Sequence, residues 1–125
     1  ELEEYVGFIL TNENEIIKAA NYIKENGVEI VVVSLGKAGA IVVHDEYSYK
    51  INMPSIDLVN STGAGSAMMA GFAVSMLRNY DFEYMLKIAA ACGGANAMEK
   101  NSGIIDMVNM KTIMNEIEIE KRLIW

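Results

Sequence analysis

A glycine-containing loop between a short apolar run and a long helical segment is the feature that most constrains the fold. Residues Asn60–Phe72 read Asn-Ser-Thr-Gly-Ala-Gly-Ser-Ala-Met-Met-Ala-Gly-Phe and follow the apolar run Ile56–Val59. An Ala- and Met-rich segment from Ala64 to about Asn79 comes next and is interpreted as a helix. Because glycines remove side-chain bulk, the backbone amides of Thr62–Gly65 can converge on one anion at the helix N-terminus. The sequence therefore predicts a phosphate-binding loop, the alternative being glycines that only end a strand and begin a helix.

Spacing excludes three other glycine motifs for this loop. A Walker A loop requires Gly, four residues and then Gly-Lys-Ser/Thr, and the chain has no such run. A Rossmann fingerprint requires a third glycine where this chain has Met68. A nucleophile elbow around Ser66 requires glycines where the chain has Ala64 and Met68.

The order of helical and strand patterns before the loop indicates an α/β fold. Asn12 and Glu15 have capping-box spacing, and apolar residues recur at helical intervals until Asn26-Gly27. Ile30–Val33 is an unbroken β-branched run, which is typical of a strand buried on both faces. A helix followed by such a strand favours a mostly parallel sheet with helices on both sides.

The remaining segments give weaker patterns. We expect Ala40–Val43 and Tyr47–Ile51 to form a hairpin at the sheet edge. The other predicted elements are helices. One or two helical turns are expected at Glu1–Gly7, and a last helix from Met110 to about Ile119. Between them, a helix from Phe82 to about Cys92 should begin after an N-cap at Asp81 and end near Gly93-Gly94.

Composition limits the classes of function. The chain has 125 residues, 52% of them hydrophobic, which is enough for one packed core. Its net charge of -7 argues against a nucleic-acid or anionic-membrane partner. The single cysteine, Cys92, excludes an intrachain disulfide, and no apolar run is as long as a membrane span requires. We therefore expect a cytoplasmic protein that binds phosphate through backbone amides.

The loop resembles the second signature of the PfkB (ribokinase-like) carbohydrate kinase family. That signature has a small polar pair, Gly-Ala-Gly-Asp and a helix that ends in Ala-Gly. The resemblance implies that Gly63, Ala64 and Gly65 form the anion hole and that Thr62 contributes to nucleotide binding. It also implies that position 66 holds the catalytic base, but here the family's aspartate is replaced by Ser66. A serine hydroxyl is not a base near neutral pH, and a general base contributes about 10²- to 10⁴-fold to a rate.

Three further stretches resemble the same family. The turn Ser34–Gly39 is similar to the family's Ser/Thr-x-Gly-x-x-Gly turn, which implies that Ser34, Gly36, Lys37 and Gly39 contact ribose and phosphates. Cys92–Met98 is similar to a loop that lines the adenine pocket in the tagatose-6-phosphate and fructose-1-phosphate kinase branch, with Gly94 and Asn96 as its contacts. Glu1 resembles the glutamate of an Asn-x-x-Glu motif that helps to place magnesium.

The resemblance implies a three-layer ribokinase-like sheet with helices on both faces and an edge hairpin. Residues 1–125 would be a single partial domain, the nucleotide-binding half, without the sugar-binding half and lid. The implied cofactors are ATP and Mg²⁺. The implied acceptor is a sugar phosphate of the tagatose-6-phosphate or fructose-1-phosphate type, bound only in the full-length enzyme, which would be a homodimer.

Two other functions follow from different interpretations of Ser66. If serine is the natural residue, the chain is a non-catalytic nucleotide-binding or pseudokinase module. An α/β serine hydrolase has less support, because the elbow glycines are missing and the only histidine, His44, lies on a predicted strand.

Overall fold

The computed structural model describes residues 12–35, 38–60, 63–101 and 103–124. Within them the structure has four helices and four strands, in the order α1 (Glu13–Glu25), β1 (Ile30–Ser34), β2 (Ala40–His44), β3 (Tyr47–Asn52), α2 (Ala64–Leu77), α3 (Phe82–Ala97), α4 (Met107–Glu116) and β4 (Glu118–Leu123). These elements form two compact units. A sheet unit contains the described residues up to Lys50 and those from Ile119 onwards, and a helical unit contains Ile51–Glu118.

The sheet has the strand order β1-β2-β3-β4, and β1 runs antiparallel to β2 with Ile30 opposite His44 and Ser34 opposite Ala40. The expectation of a mostly parallel sheet is therefore wrong for these strands. The reason is the length of the connection, because only Leu35–Gly39 separates β1 from β2 and a parallel crossover needs a dozen residues or more.

Burial on both faces belongs to β2 and not to β1. Four of the five residues of β2 are buried, whereas Val31 is the one buried residue of β1. The β-branched run in β1 was expected to be buried on both faces, and this expectation is also wrong. β1 lies at an edge of the sheet, so only one of its neighbours is a strand.

The hairpin of β2 and β3 is confirmed, but it is not at the sheet edge because β4 lies beside β3. The expected last helix ends at Glu116, and residues Glu118–Leu123 form a strand. The exposed β4 is rich in charged side chains, a composition that protects edge strands from pairing with other chains. The Lys121 ammonium lies 4.2 Å from the centroid of the Tyr47 ring, so a cation–π contact helps to hold β4 against β3.

Helix α1 agrees with the prediction at both ends. The Asn12 side-chain oxygen accepts a hydrogen bond of 3.0 Å from the Glu15 amide, which satisfies one of the free donors of the first turn. The helix ends at its C-cap Asn26, after which Gly27 has a φ of +108°. Ala20 of α1 packs in one apolar cluster with Val31 and Val43, so α1 covers β1 and β2.

In the helical unit, α2 covers the expected range but α3 continues beyond it. The predicted break at Gly93-Gly94 is wrong, because α3 remains helical to Ala97. A Cβ atom on Gly93 would lie 3.1 Å from the Ala64 carbonyl oxygen, and one on Gly94 would lie 2.8 Å from the Met53 methyl carbon. The two glycines therefore provide space for neighbouring segments within a continuous helix.

Candidate functional site

The predicted phosphate-binding loop ends at the N-terminus of α2, as expected. Gly63 is the N-cap residue of this helix and has a φ of +89° and a ψ of -6°. This left-handed conformation is readily adopted by glycine and costs other residues about 1–2 kcal/mol. Gly63 has no side chain, so the N-cap residue itself makes no capping bond to the amides of the first turn.

The first-turn amides lie where a helix has free donors. The Ala67 amide donates to the Gly63 carbonyl oxygen at 2.9 Å, which is the first bond of the helix ladder. The amides of Ala64, Gly65 and Ser66 precede this bond and have no acceptor within the helix. The first turn also contains no Asp or Glu, so no carboxylate of its own neutralises the positive end of the helix dipole.

The same turn is open to solvent. Gly65 and Ser66 are exposed, and a Cβ atom placed on Gly65 would meet no atom of the protein within 4 Å. An anion can therefore approach the free amides without displacing a side chain of the described residues. Free donors, a positive helix end and open space together are what phosphate binding at a helix N-terminus requires.

Backbone hydrogen bonds fix the segment that leads into the loop. The amides of Val59 and Asn60 both donate to the Ala97 carbonyl oxygen, at 2.8 and 3.0 Å. The Asn60 side-chain amide donates to the Lys100 carbonyl oxygen at 3.0 Å. The start of the loop is thereby fixed to the C-terminal end of α3, and Gly93 packs against Ala64 where the loop becomes helix.

The expected adenine contacts lie in the packed interior of the helical unit. Asn96 is 1% exposed, and its side-chain amide donates to the Ile104 carbonyl oxygen at 3.0 Å. Its side-chain oxygen is buried and has no hydrogen-bond partner among the described residues. Gly94 packs against Met53, Ile56 and Ile113. A contact of Gly94 or Asn96 with adenine stays a prediction.

The turn between β1 and β2 holds two of the expected nucleotide contacts. The Leu35 amide donates to the Gly39 carbonyl oxygen at 2.8 Å, and Gly39 has a φ of +108°. Ser34 is exposed at the end of β1. Gly36 and Lys37 of the same turn, Thr62 of the loop and Glu1 lie outside the described residues, so their roles stay predictions.

The described residues show the partners of His44 and whether acidic, His or Cys side chains cluster as metal ligands. The ring nitrogens of His44 lie 3.3 Å from the Glu29 carbonyl oxygen and 3.5 Å from the Asp45 carboxylate, so this ring has partners close to its own strand. No cluster of three or more His, Cys, Asp or Glu side chains that could hold a metal ion occurs in the described residues.

Burial raises the pKa of the Cys92 thiol, which disfavours the reactive thiolate.

Sequence reasoning missed a groove between the three helices of the helical unit. The groove has a volume of about 510 Å³ and is formed by residues of α2, α3 and α4 together with Arg78 and Tyr80. The sequence could indicate apolar residues on one side of each helix. It could not show that these residues form a groove, because that depends on how the helices pack against one another.

No described helix is both long and apolar enough to cross a bilayer.

The fold, which includes the glycine-lined helix N-terminus, is that of part of a ribokinase-like protein. The chain belongs to the pfkB family of carbohydrate kinases, whose sequence pattern matches residues 1–107.

Three relatives show how far the similarity extends. The tagatose-6-phosphate kinase of Staphylococcus epidermidis is 36% identical over 120 residues, which are 95% of this chain and 39% of that protein. The 1-phosphofructokinase of Escherichia coli is 31% identical over 96% of this chain and 38% of its own length. The structure of phosphofructokinase-2 from Escherichia coli in complex with potassium matches 93% of this chain and 38% of that one, with a TM-score of 0.83 and 27% identity. The chain thus spans about two fifths of the length of the curated relatives that it matches.

Proposed function

We propose that this chain is the ATP-binding portion of a sugar-phosphate kinase. The complete enzyme would transfer a phosphoryl group from ATP to a hydroxyl of a sugar phosphate of the tagatose-6-phosphate or fructose-1-phosphate type. The relatives' names support this substrate class, since they are a tagatose-6-phosphate kinase and a 1-phosphofructokinase. The chain alone would bind nucleotide without phosphorylating a sugar.

One observation carries the proposal: the free first turn of α2 follows the family's glycine signature. The amides of Ala64, Gly65 and Ser66 have no acceptor within the helix, and the turn has no carboxylate. Phosphoryl transfer depends mainly on positioning and on stabilising the charge of the transferred group. Donors that are already fixed in position suit this task, because they need no reorganisation when charge develops.

The residues present fit a nucleotide's phosphates better than they fit a metal ion. Kinases of this family use ATP and a divalent metal ion. Gly63, Ala64 and Gly65 would hold the terminal phosphates. Bound magnesium would neutralise phosphate charge.

Ser66 separates this proposal from a second one. The side chain of Ser66 is exposed, and the family resemblance assigns its position to the catalytic aspartate. A hydroxyl there cannot accept the proton of the sugar hydroxyl as a carboxylate would. If serine is the functional residue, the chain is a non-catalytic nucleotide-binding or pseudokinase module, which the free amides would serve equally well.

Calorimetric titration of the chain with nucleotides tests nucleotide binding, which both proposals require. With magnesium present, ADP and ATP should give saturable heat, whereas AMP should bind at least about tenfold more weakly because it lacks the outer phosphates. Equal affinity for AMP and ADP would contradict a site for the terminal phosphates at α2.

A substitution at position 66 then distinguishes the kinase from the pseudokinase. In a protein that also contains the sugar-binding part, Ser66→Asp should raise sugar-phosphate kinase turnover by about 10²-fold or more if only the base is missing. Ser66→Asn is the matched control, since its side chain is similar in size but cannot act as a base. Unchanged inactivity of Ser66→Asp together with intact nucleotide binding would favour the pseudokinase.

A further inference from the structure

None of the residues that line the groove of the helical unit is among those assigned to nucleotide binding above. Its apolar wall is formed by Val74, Ile88, Met107, Met110 and Met114. The volume of about 510 Å³ falls within the range of about 300–1,000 Å³ that is usual for small-molecule sites. The anion-binding loop begins α2, whereas the groove residues Val74 and Arg78 lie at its other end.

The exposure of this wall needs an explanation. Val74, Tyr84 and Met107 are 48%, 46% and 58% exposed. Large apolar side chains that are exposed together on a concave surface typically mark a binding site. Methionine side chains are flexible and polarisable, so this wall can adapt to a flat or irregular apolar body.

The charged residues of the groove all have the same sign. Arg78 and Lys111 contribute the only ionic side chains among the described residues that line it. The chain as a whole has a net charge of -7, so a groove with two cations and no carboxylate differs from the rest of the protein. A ligand with one negative charge would complement it.

Arg78 is positioned by uncharged partners and keeps its charge for a ligand. Its guanidinium donates to the Tyr80 hydroxyl at 3.3 Å, and this contact raises the pKa of Arg78. The Tyr80 ring packs edge-to-face on Tyr84, with centroids 5.1 Å apart and an interplanar angle of 81°. Tyr84 thus holds Tyr80, which orients a guanidinium whose planar donors suit a carboxylate or sulfonate.

We propose that this groove binds a small amphipathic anion, an aromatic or aliphatic body that bears one carboxylate or sulfonate group. The apolar body packs on the methionines and on Tyr84, and the acid group pairs with Arg78 and Lys111. Such a site is independent of the nucleotide site. It therefore stands whether the chain belongs to an active kinase or to a pseudokinase.

Fluorescence titration with a matched pair of dyes tests the proposal. The anionic probe is 8-anilinonaphthalene-1-sulfonate, and the neutral probe is N-phenyl-1-naphthylamine, which has the same aromatic body. The double variant Arg78→Met, Lys111→Met should bind the anionic dye about tenfold more weakly, because it removes both cations that pair with the acid group. It should bind the neutral dye within twofold of the unchanged chain.

Two controls test whether the anionic dye pairs with Arg78 and Lys111 in the groove or responds only to the net charge of the chain. The double variant Lys18→Met, Lys100→Met removes the same charge from exposed positions outside the groove, so its affinity for the anionic dye should stay within twofold. Ile88→Trp fills the groove and should abolish binding of both dyes while the far-ultraviolet circular dichroism is unchanged. Methyl resonances of Met107, Met110 and Met114, and not that of Met53, should shift on addition of the anionic dye.

Several results would overturn the proposal. Equal loss of anionic-dye affinity in both double variants would show that only net charge matters. Preference for the neutral dye would show that the groove does not select an anion. Binding that survives Ile88→Trp, or shifts that are spread over all methionine methyls, would place the dye elsewhere.

Discussion

Gly71 on α2 and Ala89 on α3 are in direct backbone contact, since a Cβ atom added to Gly71 would lie 2.8 Å from the Cα atom of Ala89. The same added atom would lie 3.3 Å from the Cys92 sulfur. Only a residue without a side chain allows the two helices to approach this closely. The buried Ser75 hydroxyl donates to the Gly71 carbonyl oxygen at 2.8 Å and is thereby satisfied at the same contact.

Gly71→Ala should therefore destabilise the chain although alanine favours helix. Overpacking of a core costs about 1–3 kcal/mol, which exceeds the gain of about 1 kcal/mol from helix propensity. Urea unfolding followed by circular dichroism measures the change. Gly65→Ala in the same helix is the control, because its added Cβ atom meets nothing within 4 Å and should leave stability equal or slightly higher. Equal stability of the two variants would contradict the contact.

Two aspartates at helix N-caps should differ in their contributions to stability. The Asp106 carboxylate accepts hydrogen bonds from the amides of Val108 and Asn109, at 2.8 and 3.1 Å. Asp81 occupies the same position of α3 but its side chain makes no capping bond. Asp106→Ala should cost about 1–2 kcal/mol, and Asp81→Ala should cost under about 1 kcal/mol through the helix dipole alone.

Thermal and urea unfolding of the two variants measure this difference. Both substitutions remove one negative charge from an exposed position, so each serves as the other's control for net charge. A larger loss of stability for Asp81→Ala than for Asp106→Ala would show that the described cap geometry does not decide the effect.

The parts of the fold that depend on local signals could be predicted from the sequence. Asn12 caps α1, Gly27 follows its end, and α2 begins directly after Gly63, because these boundaries are set by residues three or four positions apart. The candidate phosphate site could be located for the same reason. Its free amides follow from their place in the first helical turn, and that turn contains no Asp or Glu.

The features that could not be predicted depend on contacts between distant segments. Gly93 and Gly94 look like a helix break in the sequence, but they lie within α3 where Ala64 and Met53 pack closely against it. β4 has few apolar residues, and its strand conformation depends on its pairing with β3. The antiparallel pairing of β1 and β2 was predictable from their short connection, but the β-branched run in β1 suggested a parallel strand.

Burial of Cys92 should appear both in its reactivity and in the dependence of stability on pH. Because burial raises the pKa of the thiol above its ordinary value, the unfolded chain loses this proton at a lower pH than the folded chain. The folded state thus binds more protons between the two pKa values, and this contribution to stability falls as pH rises above about 8.5. Reaction with Ellman's reagent should be slow in the folded chain and fast in urea.

Cys92→Ala provides the control for the other groups that titrate at alkaline pH. The difference in free energy of unfolding between the unchanged chain and Cys92→Ala should be constant below about pH 8 and should shrink above it. A difference that grows with pH would mean that the folded chain stabilises the thiolate, contrary to its burial.

The left-handed conformation of Gly63 links stability to phosphate binding. Gly63→Ala would place a Cβ atom at a φ of +89°, which costs about 1–2 kcal/mol and favours a different loop conformation. The first-turn amides would then no longer converge, and affinity for magnesium-ADP should fall about tenfold by calorimetry. Gly103→Ala is the matched control, since Gly103 has a φ of +85° and open space around it in the same unit. Both variants should lose similar stability because the backbone strain is similar, but only Gly63→Ala should lose affinity. Parallel loss in both would assign the effect to stability, and unchanged affinity of Gly63→Ala would remove the phosphate site from the N-terminus of α2.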